Sequence, residues 1–327
     1  MKTLHHKIAM TAFALCSLVA MPQTQAAETK SIPHQKQVAG FYQYQFGNDQ
    51  ITALLDGTNY LSPALFKDIP KTEVTQILKK YYADQAKGIQ TSVNAFLVNT
   101  GSSLTLVDSG SSSCNGPDFG SVIKNLKAAG YKPEQVDSIL LTHLHPDHVC
   151  GISDKGKANF PNATVYVADP EANFWLNPQQ AAKLPQDKQA RFKQTVEKIQ
   201  QAIQPYQASK HFKTFKLGEK IHGFEVISTP GHTPGHISFA LKSANQEMVF
   251  IGDIVHSHTI QFDRPETAID FDTDPKKAVQ TRLAQFARIA KQGQTVAAPH
   301  LPFPGIGHIY SADGKHYQWI PVHFKDR

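Results

Sequence analysis

The chain has 327 residues, 40% of them hydrophobic and 18% charged, with a formal net charge of +6 and three cysteines. That apolar share excludes a wholly disordered chain, the cysteines are too few for a disulfide scaffold, and no fixed period repeats as it would in a solenoid. The length suits one large α/β domain, or two smaller ones, with a sizeable core.

The first residues read as a leader. Lys2, His5, His6 and Lys7 form a basic start, Ile8–Met21 is mostly apolar, and Thr24-Gln25-Ala26 ends on a small residue, the layout of a signal peptide over 1–26. The apolar run is short for a membrane span, and Leu15 stands before Cys16 where a lipoprotein would need a small residue. We expect secretion, to a bacterial periplasm, with no stable membrane insertion once the leader is removed. Loss of Lys2 and Lys7 lowers the charge to about +4. No basic stripe with interleaved aromatics is present, which argues against nucleic acid as a partner. Cys16 leaves with the leader. Cys114 and Cys150 remain and could pair in an oxidising compartment, a matter the sequence leaves open.

Residues 27–40 are polar and predict a flexible arm ahead of a single domain over 41–327. Strands are predicted at 51–55, 93–98 and 104–107, ended by Asp-Gly, Thr-Gly and Asp-Ser-Gly turns. A helix over 119–129 follows, carrying Val122, Ile123 and Leu126 on one face and stopped by Gly130. A short buried strand is predicted at 138–141 and another at 164–167. Asp169-Pro170 then opens a short helix running to Trp175. The spacing of Phe192, Val196, Ile199 and Ile203 predicts an amphipathic helix over 186–204. Strands are expected at 224–228, 237–241, 248–251 and 295–298. Between the last two, a helix starting at Asp274-Pro275 is expected to turn Val279, Leu283, Phe286 and Ala290 inward. Hairpin-like neighbours mixed with crossovers favour two sheets packed face to face with helices outside.

Four short segments carry the chemistry. Thr142-His143-Leu144-His145-Pro146-Asp147-His148 follows a buried strand and places four donors within six residues. Imidazole and carboxylate suit Zn²⁺ and its first-row neighbours, and so many on one loop are hard to explain as core filling. Gly231-His232-Thr233-Pro234-Gly235-His236 is a tight loop that offers His232, with His236 read as a supporting residue. Asp253 ends the apolar run Phe250-Ile251-Gly252, where a carboxylate is costly unless something positive receives it. His300 ends the last core strand. The sum is five His and two Asp. His143, His145 and His232 would hold one divalent ion and Asp147, His148 and His300 another, with Asp253 between them. Two cations about 3.5–4 Å apart lower the pKa of a bridging water and polarise an electrophilic oxygen, which predicts hydroxide attack on an ester carbonyl, a lactone or a phosphorus centre with Asp147 and Asp253 at the reacting site. Zn²⁺ is the first expectation, and Mn²⁺, Co²⁺ or Fe²⁺ fit the same donors.

In this order and spacing the four segments resemble the metallo-β-lactamase superfamily, over about residues 41–322. The resemblance implies an αβ/βα sandwich with the metals at one edge of the sheets. Cys-ligand β-lactamases lack a His after the Asp, whereas His148 follows Asp147 here and no mature Cys matches a ligand position, which disfavours antibiotic hydrolysis. Residues 125–131, 142–149, 231–236 and 303–308 look like the methyl parathion hydrolase group with its lactonase and arylesterase relatives. That likeness implies the seven ligands named above and, in part, an aromatic leaving-group pocket at Trp175 and Phe192. It also implies Asp108 as an acid that orients the ligands without binding metal. Asn115 replaces a pocket aromatic, and His256 and His258 stand where those relatives are mainly apolar, so the pocket is expected to be more polar. The implied function is hydrolysis of small neutral esters: lactones and aryl esters first, organophosphate triesters such as methyl parathion second. A glyoxalase-type thioesterase and a catalytically silent zinc-binding protein are the alternatives, and the sequence is compatible with a homodimer.

Overall fold

The computed structural model describes residues 37–84 and 86–324. The leader expected over 1–26 and most of the arm expected over 27–40 lie outside them. In chain order the first half comprises β1 Phe41–Phe46, β2 Asp49–Leu61, α1 Lys71–Lys80, β3 Ile89–Asn99, β4 Leu104–Val107, α2 Val122–Ala128, β5 Ser138–Leu140, α3 Pro146–Val149, β6 Ser153–Asp154, β7 Lys157–Ala158, β8 Thr164–Ala168, α4 Asp169–Trp175, α5 Gln186–Ala208 and β9 Phe212–Phe215. The second half comprises β10 Lys220–Ile221, β11 Phe224–Ser228, β12 Ile237–Ser243, β13 Gln246–Phe250, α6 Ile260–Asp263, α7 Pro275–Gln292, β14 Thr295–Ala297, β15 Ile306–Tyr310 and β16 Gln318–Pro321. One seven-stranded sheet has the order β1-β2-β3-β4-β5-β8-β9 and the other β10-β11-β12-β13-β14-β15-β16. β1 to β4 pair antiparallel, and β4, β5, β8 and β9 then pair parallel. The second sheet is antiparallel except for β13 beside β14, the pair joined through α7. Such parallel neighbours need a long crossover, and a helix supplies it.

Alternation along the strands sorts the core into layers. On β3, Phe96 and Val98 meet Phe224, Phe239 and Phe250 between the sheets, while Ala95 and Leu97 face the side of α2, α4 and α5 with Leu126, Trp175 and Ile203. On β13 and β14, Phe250 and Ala297 face between the sheets, while Val249 and Val296 pack with Phe286 and Ile289 of α7. Helix, sheet, sheet, helix is the four-layer αβ/βα sandwich of the expectation.

Several local expectations are corrected. β2 does not stop at the Asp56-Gly57 turn. It bulges between Leu55 and Gly57 and continues to Leu61, because the buried Asp56 carboxylate accepts hydrogen bonds from the backbone N–H of Ser111 and Gly120. α2 starts three residues later than predicted, after Gly120 at φ +94°. α5 runs past Pro205 to Ala208, its last turn held by Tyr206, whose buried hydroxyl donates to the Ile152 carbonyl at 2.8 Å and accepts from Phe160 N–H. On α7 the buried face is Ala278, Arg282, Phe286 and Ile289, and Leu283 is 37% exposed. Arg282 displaces Leu283 from the core because its guanidinium donates to the carbonyls of Ile254, Pro265 and Thr267, leaving its charge well satisfied. β1, α1, α6, β9, β15 and β16 are among the elements not predicted from sequence, although α1 turns Val74, Ile77 and Leu78 inward at helical spacing.

Candidate metal centre

β5 ends at Leu140, and Thr142 N–H donates to Asp108 Oδ1 at 2.9 Å, so the segment carrying His143 and His145 leaves the sheet beside the end of β4. Pro146 starts α3, one turn that lifts Asp147 and His148 in a different direction. The loop after β11 carries His232. Gly231 sits at φ +135°, and a Cβ there would strike the backbone of Lys277 and Ala278 at the start of α7. Asp253 follows β13 and His300 follows β14, at the same end of the second sheet.

These segments converge on two groups of donors. His143, His145, His232 and Asp253 bring their ligand atoms within 4.8 Å of one another, as do Asp147, His148 and His300. His145 Nδ1 lies 3.0 Å from His143 Nε2 and 2.8 Å from His232 Nε2. The Asp253 carboxylate stands between the groups. Its Oδ2 is 3.1 Å from His232 Nε2 and 3.6 Å from His143 Nε2, while its Oδ1 is 3.1 Å from both His148 Nε2 and His300 Nε2. Asp147 Oδ2 is 3.5 Å from His300 Nε2 and 3.7 Å from His148 Nε2.

The remaining ring nitrogens show which way each imidazole points. His148 Nδ1 is 2.9 Å from Asp108 Oδ2, His232 Nδ1 is 2.9 Å from Asp272 Oδ1, and His300 Nδ1 donates to the Ser92 carbonyl at 3.0 Å. Thr142 Oγ1 donates to Asp108 and lies 3.1 Å from His143 Nδ1. Each partner favours Nδ1–H and leaves the Nε2 lone pair facing the centre. Buried His148 Nε2 and Asp253 Oδ1 have no hydrogen-bond partner although they lie next to each other. Clustered lone pairs and an orphaned carboxylate oxygen repel unless a proton or a cation sits among them. An N/O donor set of this kind fits Zn²⁺ or a first-row neighbour.

The charges agree with that reading. Burial disfavours ionisation of Asp253, but His148, His300, His143 and His256 around it outweigh the burial and hold its carboxyl well below the usual range. Burial also opposes a charge on His232, yet Asp253 and Asp272 raise it to about 9. His148 is raised well above its ordinary value by Asp253, Asp147 and Asp108 against its burial. His143 and His145 are lowered, first by burial and then by neighbouring imidazoles. Against the cost of burial, His148, His232 and His300 are thus all drawn toward the protonated form by the same carboxylates that cations would neutralise.

The other residues singled out in the sequence fall in three places. Asp108, at φ +56°, accepts from Thr142 and His148 and lies behind the ligands. His236 is buried and pushed down to about 3 by that burial; its Nε2 accepts from Asp253 N–H at 2.9 Å and its Nδ1 donates to the Thr229 carbonyl, so it fixes the backbone that carries the central carboxylate. His256 is drawn to the centre itself, with Nε2 3.1 Å from Asp253 Oδ2 and its ring stacked on His300 at 5.1 Å. Trp175, Phe192, Asn115 and His256 line a cavity of about 840 Å³ that opens onto His145, Asp147, His232, Asp253 and His300. Trp175 and Phe192 stack at 4.9 Å and form its aromatic wall, with Asn115 at the rim. His258 corrects the expectation. It packs edge-on against Tyr81, the residue after α1, and does not line the cavity, because the chain turns between His256 and His258 toward the start of α6.

Three supporting groups complete the frame, two of them, Glu171 and Asp272, without a sequence signal. Glu171 is fully buried and accepts from Leu144 N–H, Trp175 Nε1, Thr233 Oγ1 and Gly235 N–H, tying both histidine loops to the aromatic wall. Asp272 sits on an irregular segment with no pattern around it. Cys114 and Cys150 are joined in a disulfide with Cα atoms 6.2 Å apart, linking the loop that carries Asn115 to the residue after α3. Ser109 adds a second tie there, its N–H and Oγ both donating to the His148 carbonyl.

The metallo-β-lactamase superfamily pattern matches residues 88–288. Among solved structures, the chain is 73% identical to a hydrolase of the β-lactamase superfamily named AbOPH, with a TM-score of 0.88 over 89% of this chain and 100% of that one. It is 27% identical to AidC, a dizinc quorum-quenching lactonase seen with its product N-hexanoyl-L-homoserine, with a TM-score of 0.79 over 88% and 99% of the two chains. A probable metallo-hydrolase of Streptococcus pyogenes is 33% identical over 167 residues, 50% of this chain and 62% of that protein. The match thus spans less than two thirds of that relative's length.

Proposed function

The chain belongs to the metallo-β-lactamase superfamily and is a metal-dependent hydrolase, and from that premise we propose that it holds two divalent ions and cleaves esters whose reacting group is uncharged, lactones and aryl esters before phosphotriesters. The observation that carries this reading is the place of Asp253 between the two groups, its Oδ2 toward His143 and His232, its Oδ1 toward His148, and His300 Nε2 3.1 and 3.2 Å from the two oxygens. Divalent cations held there supply Lewis-acid polarisation and lower the pKa of water.

The chain's own residues do the rest. Asp108, Asp272 and the Ser92 carbonyl orient His148, His232 and His300. The Trp175–Phe192 wall takes the apolar part of the ester and excludes water from its flank. The Asp147 carboxylate lines the cavity beside Asp253, where it can accept a hydrogen bond from an attacking water, and His256 holds Asp253 through Nε2. The quorum-quenching lactonase activity of the AidC relative supports placing lactones first. We also propose secretion, which the Cys114–Cys150 disulfide supports because such bonds persist in oxidising compartments. Fractionation of cells expressing the full chain, with the N-terminus of the mature form sequenced, tests it.

The decisive assay is kcat/KM of the metal-loaded protein on an aromatic lactone, an aryl ester and methyl paraoxon side by side. We expect the first two to lead. A phosphotriester preference would reverse the substrate order, and inactivity on all three with both metals bound would refute the ester reading and leave a zinc-binding protein.

A further inference from the structure

The cavity over the metal centre has a graded lining. Its floor holds the ligands, and its body is apolar, with Leu61, Val93, Phe119, Trp175 and Phe192 among the walls. Its mouth differs on its two sides. One lip is the irregular segment Asp270–Thr273. The other is α5, which lines the cavity with Lys188, Arg191 and Lys198.

Among the described residues, none of these three cations forms an ion pair. Lys198 is engaged with neutral acceptors, its Nζ donating to the Cys114 carbonyl at 2.8 Å. Arg191 lies over the Phe271 ring, with its guanidinium carbon 5.6 Å from the ring centre. Phe271 in turn lies 5.9 Å from the His256 ring, which touches Asp253. The guanidinium therefore stands two aromatic contacts from the centre, held above the passage that leads to it. The acids at this mouth do not cancel it. Asp270 is paired with Lys67 at 3.3 Å, Asp272 is turned inward on His232, and Asp187 is a single charge against three.

A solvated helix face explains a cation that points to water, but not one stacked on a residue of the cavity wall. The aromatic contact holds Arg191 in place while leaving its N–H donors free for an anion. We propose that the enzyme's preferred esters carry a carboxylate at the end remote from the scissile bond, and that Arg191, with Lys188 one turn earlier, receives it. This rests on the ester-hydrolase reading above and adds the substrate's far end. The apolar body of such a substrate spans the cavity, its ester lies at the floor and its acid at the mouth. Hydrolysis breaks the acyl C–O bond, adds water's oxygen to the acyl carbon, passes a proton to the leaving oxygen and yields a dicarboxylate. Arg191 is thus a specificity residue and takes no part in bond breaking.

The test compares mono-p-nitrophenyl adipate and suberate with p-nitrophenyl hexanoate and octanoate. We expect the wild-type protein to favour the acid-tailed member of a pair by about fivefold in kcat/KM, the scale of one exposed ion pair, expressed through KM and shrinking in high salt. Arg191→Gln should bring the ratio to near one, and Arg191→Lys should retain part of it. Equal ratios for wild type and Arg191→Gln overturn the proposal. So does an equal loss on both members of a pair, which would make Arg191 a latch between α5 and Phe271. Titration of the metal-loaded protein with suberate, followed through Trp175 fluorescence, reads the same contact without turnover: weaker binding to Arg191→Gln supports it and unchanged binding refutes it. Failure to hydrolyse any of the four esters would overturn the ester-hydrolase reading instead, and the titration would still decide the role of Arg191.

Discussion

The two halves of the molecule supply the metal centre in different ways. The first half delivers His143, His145, Asp147 and His148 from one loop, braced close by: Asp108 at the end of the neighbouring strand takes Thr142 and His148, and Ser109 and the disulfide fasten the far end of α3. The second half delivers His232, Asp253 and His300 singly from three strand ends, and each has a partner of its own: Asp272, 40 residues on, for His232, His236, 17 residues back, for Asp253, and Ser92, 208 residues back in the other sheet, for His300. Donors packed into one loop are organised by short loop geometry. Donors scattered along the chain are organised only once the sheet beneath them has formed, so their precision is a property of the packed fold.

Substitutions that separate the halves test this difference, and the largest effect belongs to the residue that joins them. Asp253→Ala removes the carboxylate shared by both donor groups. We expect kcat/KM to fall by about 1000-fold or more and bound metal, measured by plasma emission, to drop below two ions per chain. Full activity with two ions retained would refute the shared role. Next comes the disulfide, which closes 36 residues of the first half. Cys114→Ser with Cys150→Ser should lower stability by about 3–4 kcal/mol, read as a lower denaturant midpoint. If Ser109 alone suffices to hold α3, metal content will survive that loss.

Asp108→Asn and Asp272→Asn form the sharpest pair. Each replaces the acceptor that orients a ligand, and each should weaken metal binding by roughly 10–100-fold. Asp108 also receives Thr142 N–H and Oγ1, whereas Asp272 receives the single Ile269 N–H, so the Asp108 variant should lose more thermal stability. Equal Tm losses in the two variants would mean that both halves are braced alike. The smallest effect concerns pH. Burial raises the Tyr206 hydroxyl above its ordinary 10.0, so the unfolded chain loses this proton first as pH rises. Its contribution is fully present below pH 10 and fades above it. We expect Tm to fall from pH 9 to 11, and Tyr206→Phe to be less stable at neutral pH but less sensitive to that rise.

The legible parts of the sequence are those with dense local pattern. β4 and β11 match their predicted bounds, α4 starts and ends where Asp169 and Trp175 place it, and Asp274 caps α7 by accepting Lys277 N–H. In each case a turn residue or a cap marks the boundary within a few positions. α7 shows where such reading stops. Its start was legible, but its rotation was not, because Arg282 inside and Leu283 outside reverse the rule that charge faces water, and the three carbonyls that reverse it come from residues 254–267. His256 and His258 teach the same lesson at the site. Two residues apart with the same chemistry, one stacks on His300 and the other meets Tyr81 edge-on, since the chain turns between them into α6.

By itself the sequence determined which donors exist, that they suit a borderline metal, and that alternating apolar residues would build a layered α/β core. Those are properties of side-chain chemistry and of short-range period. Only the tertiary structure decided that Asp253 faces both donor groups, that Glu171 ties the histidine loops to the aromatic wall, that Cys114 meets Cys150, and that α5 turns its cations toward the cavity mouth. Each of these joins residues remote in the chain, and what brings them together is the packing of two twisted sheets and their helices, which no local pattern encodes.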